Sequence, residues 1–407
     1  MTMVLLLIVG CNIQKSEGIS VIKDHVDFGE QDYEKIVWES NQLGFHLLNQ
    51  VKRDENKNTF ISPASLYMLL SVIYNGADGQ TKEEMADFLG VDSYDDEDIN
   101  KANASLLHSL YKGTNKLSLQ IGNSLWLRDQ LNFDEEFTKR AVDYFNGEIK
   151  SVDMSKEETV QEINTWVRKA TEGKIEEIIE GPLDSQLVTV LINAIYFKGD
   201  WKYAFDESQT MDGFFMGEQG ERNDATFMKL DRHLSYLETE DFQSVSLPYG
   251  NGEMSMKIFL PKEGKSLDSV IKELNVRNWK KWSRKYVAKK GTLLFPKFTL
   301  EYETTLHETL IDLGLGSPFN PSTADFSRLI QGDQDMYIDL IKQKTYIDIH
   351  EKGTEAAAVT SAQIRLTSAP MDSPFYMMVN RPFFFTINDE ETEAILFMGA
   401  MHLPESE

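Results

Sequence analysis

Residues 187–197 form a near-continuous apolar run rich in β-branched side chains, within a chain of 407 residues. Such a run cannot alternate a wet face with a dry one, so it predicts a central strand covered on both faces. Lys198, Gly199, Asp200 and Trp201 close it. The covering layers are legible upstream. Residues 36–51 place Val37, Gly44, Leu47, Leu48 and Val51 on one side at helical spacing. Ser62 and Pro63 supply an N-cap and a first-turn proline for a helix carrying Leu66, Leu69, Leu70 and Ile73, expected to be buried. Capping-box spacings, Thr81 with Glu84 and Ser155 with Glu158, predict two more helices, ended by Gly90 and Gly173.

Downstream of Phe227 the pattern turns mostly to strands, at 244–247, 254–260, 292–295 and 346–350. Short helices are expected at 266–274 and 305–313, and a hairpin of 383–387 with 394–398 ends the fold. There is no internal repeat and no linker, so the expectation is an α+β chain folded as one domain over residues 29–407.

Residues 351–368 read differently. At a period of two, Thr354, Ala356, Ala358, Thr360, Ala362, Ile364 and Leu366 fall on one face, all small or apolar. The other face carries Glu355, Ala357, Val359, Ser361, Gln363, Arg365 and Thr367. The alternation is that of a half-buried strand, but alanine, serine and glutamine lack the bulk that normally holds a sheet position. The segment can be a strand without having to start as one. Gly353 is a flexible joint before it, and no proline between 354 and 369 forbids ladder hydrogen bonds.

The formal net charge is -25, which argues against nucleic acid, anionic membrane surfaces and polyanions as partners. Cys11 is the only cysteine, so no intrachain disulfide forms. It follows an apolar run too short to span a bilayer, and Ile8-Val9-Gly10-Cys11 resembles the lipobox of bacterial lipoproteins. That resemblance implies a signal segment at 1–11, lipidation at Cys11, a tether at 12–28 and a domain held outside the cytoplasm by its lipid anchor, its only link to a membrane. Hydrolase, zinc, phosphate-loop and calcium-loop motifs are all missing; His307-Glu308, for example, is followed by the wrong spacing for zinc. No cofactor, metal or catalytic residue is expected, and the chain is not read as an enzyme.

Several segments occur in an order that resembles the serpins. They are residues 58–66 around Ser62-Pro63, Asn75-Gly76-Ala77-Asp78-Gly79-Gln80-Thr81, Ile163-Asn164-Thr165-Trp166-Val167, residues 193–201 from Asn193 to Trp201, Leu247-Pro248-Tyr249, Phe295-Pro296-Lys297-Phe298 and Val379-Asn380-Arg381-Pro382-Phe383. With the small-residue stretch after Gly353, they cover nearly the whole folded chain. The resemblance implies helices packed around a large central β-sheet, further smaller sheets and an exposed reactive-centre loop at about 351–374. It also implies a monomer. In the family a heparin-type cofactor site would fall near residues 93–98, but here that segment is an acidic run best read as a solvated loop.

By resemblance, Ser62, Ser65, Asn193 and Gln343 form a shutter where the central strands part. Gln343 stands where the family usually has histidine; it can donate and accept but cannot titrate near neutrality. Trp201, Lys297 and Glu351 match the breach, where a lone surface pair of Lys297 with Glu351 would contribute roughly 0–1 kcal/mol. Glu351, Gly353, Thr354, Glu355, Ala356, Ala357 and Ala358 match the hinge. Inhibitory members of the family usually place the scissile residue fourteen after the hinge glycine, so the resemblance implies a reactive bond at Thr367-Ser368, with Arg365 and Leu366 as alternates.

The family function is suicide inhibition: a serine protease acylates itself on the loop and is trapped when the cut loop enters the sheet. Fourteen strand residues at ~3.3 Å span roughly 46 Å, close to the ~50 Å expected across a domain of this size. Ladder hydrogen bonds at ~0.5–1.5 kcal/mol each roughly balance backbone ordering at ~1–2 kcal/mol per residue, so the inward side chains decide whether insertion occurs. None of the inward set is charged. An inhibitor is therefore expected, forming a covalent acyl complex with an elastase-like or subtilisin-like protease. The alternatives are a trypsin-like protease cutting at Arg365, a cysteine protease, or a non-inhibitory member acting as a binding protein or plain substrate.

Overall fold

The computed structural model describes residues 22–23, 25–51, 57–111, 117–332, 335–354 and 373–404. In chain order the first half contains α1 (Val37–Gln50), β1 (Thr59–Ile61), α2 (Pro63–Tyr74), α3 (Gly79–Leu89) and α4 (Asp96–Tyr111). There follow β2 (Leu117–Arg128), α5 (Glu135–Phe145), β3 (Glu148–Val152), α6 (Glu157–Ala170) and β4 (Thr189–Asp200). The second half is mostly sheet, with β5 (Met211–Met216), β6 (Arg222–Glu238), β7 (Phe242–Tyr249) and β8 (Met254–Pro261). Next come α7 (Leu267–Lys272), α8 (Val276–Ser283), β9 (Val287–Pro296), β10 (Phe298–Thr305) and α9 (His307–Asp312). The chain closes with β11 (Leu340–Ile349), β12 (Gly353–Thr354), β13 (Phe375–Met378), β14 (Phe383–Asp389) and β15 (Ile395–Met401).

The strands form two mixed sheets. One has six strands in the order β10-β11-β4-β2-β3, with β12 also on β4; the other has nine, running from β1 through β15, β14, β8, β7, β6 and β9 to β13, with β5 also on β6. The expected α+β class is present, and the apolar run became β4 as its composition requires. Its side chains alternate between two cores. Leu191, Ile195 and Phe197 join the main core, while Val190, Ile192 and Ala194 pack with Ile163 and Val167 of α6. Each face is dry, so no polar alternation is needed. The terminal hairpin is antiparallel, as expected, with one irregularity after Ile387.

Every residue of α2 is buried, and the helix starts as anticipated: Ser62 is extended, its hydroxyl accepts from Ser65 N, and Pro63 occupies the first turn. Two capping boxes are not made. Asp78, not Thr81, caps α3, while Thr81 Oγ1 accepts from Asp325 N and Glu84 receives Gly316 N and Ser317 N across the fold. At α6 the cap position is Lys156, and Ser155 instead closes a turn on Asp153. At α3 an aspartate takes over the cap, whereas at α6 Asp153 accepts both the amide and the hydroxyl of Ser155 and the helix starts without a side-chain cap.

The acidic run at 93–98 is a solvated loop only in its first half, residues 93–95. Residues 96–98 open α4, where carboxylates favour the helix N-terminus, and Asp95 accepts Asp98 N. Asp96 is bonded by Lys82 and Arg328, and Asp98 by Lys35. Within the segment expected as tether, His25 bonds Asp143 and Phe28 meets the His108 ring edge-on at 5.4 Å.

Candidate functional site

β11 and β4 run parallel, paired from Leu340 opposite Val190 to Tyr346 opposite Tyr196. Near the middle of this ladder a buried polar cluster ties both strands to the start of α2. The Gln343 amide bonds the Ser62 peptide in both directions, accepting its N–H at 2.9 Å and donating to its carbonyl at 3.0 Å. It also donates to Asn193 Oδ1 at 2.6 Å. Asn193 Nδ2 in turn donates to Asn123 Oδ1 on β2 and to the Ser65 hydroxyl. The Ser62 hydroxyl donates to Leu396 O of β15 at 2.7 Å, and Thr345 Oγ1 to Phe60 O at 2.7 Å. Glutamine therefore uses both ends of its amide where an imidazole has one donor and one acceptor when neutral.

At the far end of β4, Trp201 continues the chain into a ring stack. It lies on Tyr249 at 4.1 Å, and its indole N–H donates to His350 O. The backbone is stitched as well, with Trp201 N donating to Lys352 O and Phe205 N to Glu351 O. The Glu351 side chain is nearly buried. Thr210 Oγ1 donates to one carboxylate oxygen at 2.8 Å, and Lys297 Nζ lies 3.1 Å from the other. Burial raises its pKa, but the Thr210 bond, a backbone amide and Lys297 outweigh that and hold it below the ordinary value. It is thus not the lone surface pair anticipated: the carboxylate has left water and has a second donor.

After a tight turn, in which His350 and Gly353 exchange backbone hydrogen bonds, β12 lies antiparallel on β4 with Gly353 opposite Asp200 and Thr354 opposite Gly199. Gly353 adopts φ +152, and a Cβ there would sit 2.2 Å from Gly199 O, so no other residue fits unaltered. Thr354 is 1% exposed and shares a 3.0 Å hydrogen bond with the Tyr249 hydroxyl. Burial pushes the Tyr249 phenol above its ordinary pKa, so it is a neutral partner.

The structure thus gathers Ser62, Ser65, Asn193 and Gln343 into one cluster, and Trp201, Lys297, Glu351, Gly353 and Thr354 into another. Cys11, Glu355, Ala356, Ala357, Ala358, Arg365, Leu366, Thr367 and Ser368 lie outside the described residues. Four participants escaped the sequence reading: Asn123, Thr345, Tyr249 and Thr210. Tyr249 sits within a quoted motif and signalled its presence; the others occupy segments with no local signature. Among the described residues no group of three or more His, Cys, Asp or Glu side chains is arranged to hold a metal ion, and no helix is long and apolar enough to cross a membrane.

A pH dependence follows from Glu351. The fold favours its ionised form, so the unfolded chain binds the extra proton and stability rises with pH. The Tm advantage of the parent over Glu351→Gln is expected to be full above pH 4.5 and to shrink as pH falls below it. Thermal melting of both proteins from pH 3 to 7 checks this, and an advantage that grows on acidification would refute it.

The family model described as Serpin (serine protease inhibitor) matches residues 39–404. The leukocyte elastase inhibitor of Equus caballus is 32% identical over 372 residues, covering 88% of this chain and 96% of that protein. Among solved structures, the thermophilic serpin Tengpin in its native state superimposes with TM-score 0.81 at 30% identity, covering 94% of this chain and 96% of that one. Human thyroxine-binding globulin in complex with thyroxine gives TM-score 0.83 at 27% identity, covering 92% of this chain and 100% of that one. With a parallel pair of central strands, a polar cluster between them and a glycine-led strand seated at their far end, this chain belongs to the serpin family.

Proposed function

We propose that this protein inhibits a serine protease as a suicide substrate, its loop being cleaved at Thr367-Ser368 and then drawn into the sheet between β4 and β11. The observation that carries this is β12. Its ladder on β4 is antiparallel and begins at Gly199 and Asp200, whereas the parallel β11 ladder stops at Tyr196. A chain continuing from Thr354 in that direction would advance between the two strands. Uncharged alternate residues from Ala356 to Leu366 suit such a path. The small P1-side residue and apolar neighbours suit an elastase-like or subtilisin-like protease, and the similarity to an elastase inhibitor supports the same choice.

The test is incubation with elastase-like, subtilisin-like and trypsin-like proteases, followed by denaturing gel and intact mass. A covalent complex with a released peptide beginning at Ser368 is expected. Cleavage without any complex would reject the inhibitory reading.

A further inference from the structure

Despite the net charge of -25, one strip of the chain is strongly positive. Seven of the chain's lysines and arginines fall within residues 277–290, and no acidic residue occurs between Glu273 and Glu301. The strip covers α8 and the start of β9. Arg277, Lys281, Arg284, Lys285 and Lys290 are exposed. Among the described residues none of the seven lies in an ion pair. Two rest on rings instead, Lys280 over Trp38 at 3.8 Å and Lys289 over Tyr236 at 5.5 Å. Three acids lie within electrostatic reach of the strip without forming an ion pair there: Glu39 beside Lys280, Glu238 beside Lys289 but paired with Lys262, and Asp231 beside Lys290 but paired with Lys229.

The strip ends at the root of the reactive loop. The Tyr236 ring beneath Lys289 stacks on Phe375 at 4.5 Å, and Phe375 is the first residue of β13, where the chain returns from the loop and pairs with Gly291 of β9. Two large apolar side chains are exposed in the same region, Val287 and Tyr376. Val287 lies opposite Tyr236, and the Gln243 amide donates both to the Tyr236 hydroxyl and to Tyr376 O.

We propose that this strip is a docking surface for the target protease, contacting an acidic face beside the subsites that hold the loop residues after the cleaved bond. This rests on the inhibitory reading above. Position favours a protease, because a partner that grips the loop must approach over β13 and β9. Exposed apolar side chains among the cations fit a protein surface better than a sulfated polysaccharide or a phospholipid membrane, which offers mainly charge. The rest of the surface, being anionic, would repel the same face and orient the encounter.

The experiment uses a subtilisin-like protease with acidic residues around those subsites, its catalytic serine replaced by alanine, so that docking is measured without acylation. Binding of the parent is expected to be about tenfold tighter than that of Arg284→Glu/Lys285→Glu/Lys290→Glu at low salt, the gap closing as salt rises. The three side chains are exposed, so melting should be unchanged, and the salt dependence of the parent alone gives a second readout. Equal binding by parent and variant, salt-independent binding, or a difference confined to heparin or anionic vesicles would overturn the proposal. Trapping by the active protease is scored separately. Trapping without charge-dependent docking overturns only the docking surface, and charge-dependent docking without trapping overturns only the inhibitory reading.

Discussion

Thr354→Arg is expected to abolish covalent trapping while leaving the loop cleavable, so that every encounter with protease ends in turnover. Thr354 is already seated on β4, 1% exposed, against the Tyr249 hydroxyl in a wall that includes the Trp201 ring. A guanidinium placed there loses its water without an acidic partner, a cost of several kcal/mol. It escapes only by leaving the sheet, and with it goes the first step of the path proposed for the cut loop. The check is the fraction of protease held in denaturant-resistant complex by parent and variant, with loop cleavage followed by mass. A variant that traps as completely as the parent would sink the insertion mechanism.

Asn193→Ala is expected to cost about 3–5 kcal/mol of stability, because one truncation leaves a Gln343 donor, the Asn123 carbonyl oxygen and the Ser65 hydroxyl without their shared partner. The site is fully buried, so water does not easily replace the lost amide. The same change loosens the ladder between β4 and β11 at the Gln343–Asn193 step. Chemical denaturation measures the first effect. The second should appear as faster spontaneous loss of inhibitory activity on storage. A loss of stability below about 1 kcal/mol would mean that the cluster relaxes and does not clamp the strands.

The contrast between what was legible and what was not has a consistent cause. β4, α2 and the terminal hairpin could be read because burial acts on every second or every third to fourth residue, leaving a local pattern. The capping boxes at Thr81 and Ser155 failed because Asp78 takes the cap of α3 and Asp153 engages the Ser155 amide and hydroxyl in a turn. The acidic residues 96–98 were read as a loop because their partners, Lys35, Lys82 and Arg328, come from three separate segments.

In the site, motif order located Ser62, Asn193, Trp201, Lys297 and Glu351, yet Thr210 reaches Glu351 across 141 residues and Asn123 reaches Asn193 across 70. Nothing in either local sequence marks the contact; strand register pairs Asn123 with Asn193, and the turn that ends at Thr210, just before β5, carries that residue to Glu351.

By itself, then, the sequence determined the class of fold, the strand buried on both faces, the glycine joint and the uncharged small-residue face that follows it. These are properties of side chains acting on their own backbone. Only the tertiary structure decided that Gly353 and Thr354 already lie on β4, that Glu351 is a sequestered carboxylate with two side-chain donors, and that the cation-rich stretch 277–290 ends beside β13. Each of those depends on segments far apart in sequence becoming neighbours, and distance along the chain carries no record of which pairs will meet.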